Sequence, residues 1–266
     1  MTFLRLLAAV LLFSATAALA TDKTDLYYIP AESGWGMTIA NQGDTIFVTA
    51  YVYDSARLPT WFVGTGALVS TDSQGVNLYG GDWYSVHGPF YGSGAFDPNT
   101  VAAVKVGTFT YRELTVTTGQ INYTVNGIAV TKTVQRQTLK NNPNVNGNYA
   151  GAYFSTISGC PVASGNGTVG TFIAMAASGT PAATTFTIAL QDDSGAFSTI
   201  CTASGPYTQA GRMGSLTGTW SCTGGINGNT TIFEIESGLN GISARFHNTF
   251  GGCVENGHFN AARNAN

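Results

Sequence analysis

Gln120-Ile121-Asn122-Tyr123-Thr124-Val125-Asn126-Gly127-Ile128-Ala129-Val130-Thr131-Lys132-Thr133-Val134 decides the fold. Asn126-Gly127 supplies the two positive φ angles of a type I′ turn, whose twist matches that of paired strands. The β-branched and aromatic residues on both sides fit a pleated surface. The stretch therefore reads as a hairpin of 120–125 with 128–138. Working outward, turn chemistry recurs about every ten residues, as in Asn41-Gln42-Gly43-Asp44 and Asp54-Ser55-Ala56-Arg57, and helical periodicity is missing. The other strands expected in the first half are 34–41, 45–53, 59–69, 75–86 and 104–112. In the second half they are 148–157, 168–177, 184–191, 197–203, 213–222, 230–236, 242–248 and a piece near 257–261.

The breaker-rich run Lys140-Asn141-Asn142-Pro143-Asn144-Val145-Asn146-Gly147 separates the halves. The expected organisation is an aromatic-rich β domain over 21–140, a linker over 141–147 and a disulfide-containing, barrel-like β domain over 148–266. The fold class is all-β: two antiparallel meanders that curl into barrels because closure removes sheet edges. A β-sandwich is the alternative. A single barrel of about 16 strands lacks the aromatic girdles expected of one in a membrane. Alternation assigns faces: Ile46, Val48, Ala50 and Val52 oppose Phe47, Thr49, Tyr51 and Tyr53. In Phe233-Glu234-Ile235-Glu236 the apolar pair is expected on one face and the carboxylates on the other.

The chain opens with Arg5, an apolar run over 6–13 and Ala18-Leu19-Ala20, the pattern of a secretory signal peptide over 1–20. Removing it leaves ten Lys+Arg against fourteen Asp+Glu, a net charge near −4. With 9% charged residues and 34 glycines, solubility rests on neutral Thr, Ser and Asn side chains. No basic stripe is present to neutralise phosphates, which argues against nucleic acid. No later apolar run approaches a transmembrane segment, and no lipid-attachment cysteine follows the leader. The expected location is outside the cytoplasm, in the periplasm or the medium.

All four cysteines lie in the second half, with no C-x-x-C among them. In an oxidising compartment they read as two disulfides. A meander makes Cys201 and Cys222 cross-strand neighbours, and closure of a barrel lets Cys160 reach Cys253.

The three histidines, His87, His247 and His258, accompany no nucleophile signature, and a His247/His258 metal pair lacks further ligands. Glu32, Asp44, Asp54 and Asp82 lie near aromatics, but Asp44 and Asp54 occupy turn positions, where Asp bonds its own backbone. No catalytic residue, metal set or cofactor is therefore assigned. The aromatics are the stronger signal. Trp35, Tyr51, Tyr53, Trp61, Trp83 and Tyr84 crowd the first half, and the hairpin after Tyr53 can set Tyr51 or Tyr53 opposite Trp61. Rings among Asn, Gln and Thr suit a sugar or another partly apolar ligand, while core packing is the competing use.

Pro30-Ala31-Glu32-Ser33-Gly34-Trp35-Gly36, Gln42-Gly43-Asp44-Thr45-Ile46-Phe47, Leu58-Pro59-Thr60-Trp61, Asn122-Tyr123-Thr124-Val125-Asn126-Gly127 and Lys132-Thr133-Val134-Gln135-Arg136-Gln137 resemble a module of exported proteobacterial proteins. The resemblance covers most of 26–139 and implies export, but no activity. Ser55-Ala56-Arg57 stands where that module has a glycine before the proline. Gly218-Thr219-Trp220 resembles the Gly-x-Trp of lipocalin- and avidin-like barrels. The functional expectation is a non-catalytic binder of a glycan or small amphipathic ligand. The alternatives are a cell-surface or matrix component that contacts other proteins, and a hydrolase with an unrecognised carboxylate site.

Overall fold

The computed structural model describes residues 22–72, 76–92, 94–139 and 144–264. The expected leader, Gly75 at the start of one expected strand, and residues 141–143 of the expected linker lie outside them. The described residues form two antiparallel barrels, so the chain is all-β with barrel-like halves.

The first barrel is a meander of eight strands: β1 (Asp25–Tyr28), β2 (Gly36–Gln42), β3 (Thr45–Tyr53), β4 (Pro59–Thr71), β5 (Asn77–His87), β6 (Ala102–Glu113), β7 (Thr118–Val125) and β8 (Ile128–Arg136). It closes where Tyr27 and Tyr28 of β1 pair with Arg136 and Gln135 of β8. β1, which the sequence reading missed, is therefore the closing strand. Asn126 and Gly127 carry φ of 48° and 82°, as the hairpin turn demands.

The second barrel contains β9 (Gly147–Ser158), β10 (Gly167–Thr180), β11 (Ala183–Gln191), β12 (Phe197–Gly205), β13 (Tyr207–Ala210), β14 (Met213–Cys222), β15 (Asn227–Ser237), β16 (Gly241–Phe250) and β17 (Cys253–Arg263). β9 pairs with β17, and β14 pairs with both β12 and β13. Pro206, which has no N–H to give the ladder, separates β12 from β13, and together they act as one bent strand. The connection between the expected strands 197–203 and 213–222 thus carries a short strand before its turn.

Both disulfides form as the meander argument requires: Cys201–Cys222 between directly paired residues, and Cys160–Cys253 across the β9–β17 closure.

Side chains fill both interiors, as an eight-stranded barrel permits. In the first, Tyr27, Met37, Ile39, Ile46, Val48, Tyr79, Trp83, Phe109, Tyr111, Ile121 and Val134 are buried. The Trp83 and Phe109 rings lie 4.6 Å apart, and Gly64 makes room for them. A Cβ there would stand 2.8 Å from Phe109 and 3.3 Å from Trp83. The second core includes Tyr149, Tyr153, Phe186, Leu216, Trp220, Ile232, Ile235, Phe246 and Phe259.

The alternation expected in β3 holds, with Ile46, Val48 and Ala50 buried while Phe47, Tyr51 and Tyr53 are exposed. That expected in β15 does not. Glu234 takes φ 52° at a bulge, so Ile232 and Ile235 both enter the core, and Phe233 turns out to pair with Arg245. Two residues on the bulged strand oppose one on its partner, which resets the face.

Candidate functional site

The outer face of β2–β5 carries the exposed aromatics. Register places Gly36, Tyr51 and Trp61 side by side in one row, and Thr38, Thr49, Val63, Tyr84 and Lys105 in the next. Ala40, Phe47 and Thr65 form a third. Tyr51 is 50% and Trp61 52% exposed, and directly opposed strand residues stand only about 5 Å apart at Cβ. Phe47 and Tyr53 are exposed as well, while Tyr84 is half-buried. Neutral Thr hydroxyls lie between the rings, and at one edge Lys105 meets Asp82 at 2.8 Å.

The six aromatics singled out from sequence therefore divide. Tyr51, Tyr53, Trp61 and Tyr84 belong to this face. Trp35 is half-buried and packs against the first core, its indole N–H donating to the Tyr123 hydroxyl at 3.3 Å. Gly34, at φ 99°, lets the Tyr53 ring lie against the backbone, where a Cβ would come within 2.7 Å. Trp83 is 1% exposed and packs in the core, not on this face. Its neighbour Tyr84 points the other way because successive strand residues alternate faces. Phe47 belongs to the face although sequence reasoning did not select it; its alternation with Tyr51 was the available signal.

The carboxylates are tied to local partners. Asp54 accepts from the amides of Ala56 and Leu58 at 2.8 Å each, as its turn position requires, and Glu32 pairs with Lys132. Asp192, in the β11–β12 turn, has its carboxyl held down to about 2 by hydrogen bonds from Ser194 and Ser198. His247 shares a 2.8 Å hydrogen bond with Asn256, and the His258 ring lies 5.7 Å from that of Phe154. Among the described residues no cluster of His, Cys, Asp or Glu has the makings of a metal site.

Two features escaped the sequence reading. Glu255 lies inside the second barrel, 4% exposed, accepting hydrogen bonds from Tyr153 (2.7 Å), Ser155 (2.6 Å) and Asn248 (2.9 Å). Burial and the adjacent Glu255 carboxylate together push the Tyr153 hydroxyl well above the usual phenol range. These donors replace water around the carboxylate, which makes the cluster a satisfied polar layer of the core. Outside the same barrel, Ala262, Ala150, Ala174, Ala189 and Ile200 stand in direct register across five strands, with exposed Phe172 opposite Ala152 in the adjoining row.

A cleft of about 670 Å³ opens between the barrels, lined by Asp25 and Gln137 on one side and Tyr207, Gln209, Arg212 and Ile235 on the other.

The site's class is an aromatic face on the outside of a filled, closed β-barrel. No family model and no curated protein matches the chain.

Proposed function

We propose that the protein is an exported, non-catalytic binding protein whose outer face on β2–β5 takes a neutral glycan. The observation that carries this reading is the direct opposition of two half-exposed rings, Tyr51 and Trp61, on a barrel whose interior is full. A sugar has C–H faces that lie flat on aromatic rings and hydroxyls that exchange hydrogen bonds with Thr side chains. A glycan suits the face because its centre is apolar and hydroxylated, with the Lys105–Asp82 charges paired at the rim. A small amphipathic guest inside the first barrel is disfavoured, since Trp83, Phe109 and Tyr79 occupy that space. Two disulfides fit an oxidising compartment, and the leader pattern and the resemblance to exported modules point the same way.

The test is retention of the mature chain on insoluble β-glucan, α-glucan and chitin. Tyr51→Ala with Trp61→Ala is expected to weaken binding at least tenfold, with denaturant stability unchanged within about 1 kcal/mol. Unaltered binding by the double variant, or retention on none of the polymers, would contradict the assignment.

The uncharged alanine row favours a second reading, a surface or matrix component in which copies of the chain pack through the second barrel. Contiguous apolar faces are uncommon on monomers. That reading predicts that the mature chain sediments as more than a monomer and that Ala174→Glu returns it to one; a wild-type monomer at all concentrations excludes it.

A further inference from the structure

Among the described residues, the barrels meet at a joint that joins Asp22, Thr24, Asp25 and Thr138 to Gln209, Gly211 and Arg212. On the first barrel, Asp22 and Thr24 present backbone carbonyls and Asp25 its carboxylate around the Arg136 guanidinium. Arg136 donates to Asp22 O (2.6 Å), Thr24 O (3.3 Å) and Asp25 Oδ2 (3.1 Å). Its side chain is almost wholly buried and lies over the Tyr27 ring, 5.6 Å from the centroid. This arrangement makes a socket with one carboxylate oxygen facing outward.

The second barrel supplies the piece that enters it, the turn Gly211-Arg212 between β13 and β14. The Arg212 amide donates to Asp25 Oδ2 at 3.0 Å and its Nε to Thr24 O at 2.9 Å. The same guanidinium pairs with Asp22 across the joint and with Glu236 on its own barrel. Thr138, just past β8, closes the other side: its hydroxyl accepts from the Gly211 amide at 2.9 Å. Backbone fit is as close as charge fit. Gly211 has φ 60°, and a Cβ there would stand 2.2 Å from Asp25 Oδ2 and 2.9 Å from Arg136 Cβ. A turn that touches its neighbour this closely, through a residue without a side chain, is fitted to that neighbour.

We propose that the Gly211-Arg212 turn and the segment Asp22–Asp25 form a plug-and-socket joint that fixes the two barrels as one body and sets the width of the cleft between them. The socket half is an amino-terminal strap, four residues that enter the first barrel's sheet only at Asp25. Asp22 is its outermost charge. Burial alone would raise its carboxyl, but the Thr24 amide and hydroxyl and the Arg212 guanidinium outweigh that and hold it below the ordinary aspartate value.

Nuclear magnetic relaxation of the ¹⁵N-labelled mature chain tests this. The wild type is expected to tumble with one correlation time shared by both barrels. In Arg212→Ala each barrel should tumble separately, its correlation time falling to about half, while the chemical shifts of both cores stay in place. Asp22→Asn, on a half-exposed side chain that no core depends on, should give a smaller fall in the same direction, and it decides the matter if Arg212→Ala perturbs the second barrel. Two correlation times in the wild type, or a single wild-type value in both variants, would overturn the joint.

Discussion

Trp83→Ala is expected to destabilise the protein by about 3–5 kcal/mol, the range found when a buried large aromatic is truncated and its surroundings cannot collapse. The cavity would open against Phe109, whose ring lies tilted 4.6 Å from that of Trp83, and beside Tyr123, whose ring meets it edge-on at 6.4 Å. Gly64, against the same rings, has no side chain with which to fill the space. Trp61→Ala, on the outer surface of the same barrel, should change stability by no more than about 0.5 kcal/mol. Urea unfolding of the two variants, followed by far-ultraviolet circular dichroism, measures both values. Equal losses would mean that the core and the outer face have been wrongly separated.

Removing Cys160–Cys253 through paired Cys→Ser substitutions should cost more than removing Cys201–Cys222. The first bridge spans 93 residues and the second 21. Constraint of the unfolded chain grows with the closed loop, giving about 4–5 kcal/mol for the first and about 3 kcal/mol for the second. The first bridge also ties the β9 end of the second barrel to β17 where the meander closes. A larger loss from the shorter bridge would show that native contacts around Cys201, whose side chain belongs to the core, outweigh the loop effect.

Much of this architecture was legible because its signals are local. Asn126-Gly127 fixes a turn through backbone conformation alone, and period-two alternation in β3 sorts inside from outside residue by residue. Cys201–Cys222 followed from pairing within the meander, and Cys160–Cys253 from closure, since a meander that becomes a barrel must bring its first and last strands together. What escaped was non-local or irregular. β1 is a four-residue strand whose place is set by β2 and β8. The β15 bulge broke an alternation that four residues had seemed to define. Trp83 and Tyr84 are adjacent aromatics, and composition cannot say which of two neighbours faces inward; Phe109 across the sheet decides it. Glu255 could have been placed inside, since Phe259 shares its face four residues on, but a lone carboxylate reads as solvent-exposed until Tyr153, Ser155 and Asn248 surround it. The joint was invisible because it brings together three distant stretches of chain, Asp22–Asp25, Arg136 and Arg212.

The central claim is that ligand lands on the outside of the first barrel, and the four tryptophans report it individually. Trp61 is exposed, Trp35 donates to Tyr123, and the indole nitrogens of Trp83 and Trp220 are buried in the two cores. The decisive measurement is a ¹H–¹⁵N titration of the two-barrel chain, residues 21–266, with soluble oligosaccharides of glucose and of N-acetylglucosamine, following the indole N–H resonances. The prediction is saturable movement of the Trp61 resonance, with those of Trp83 and Trp220 unmoved. Movement of Trp220 or Trp83 with Trp61 stationary would put the ligand inside a barrel and contradict the account.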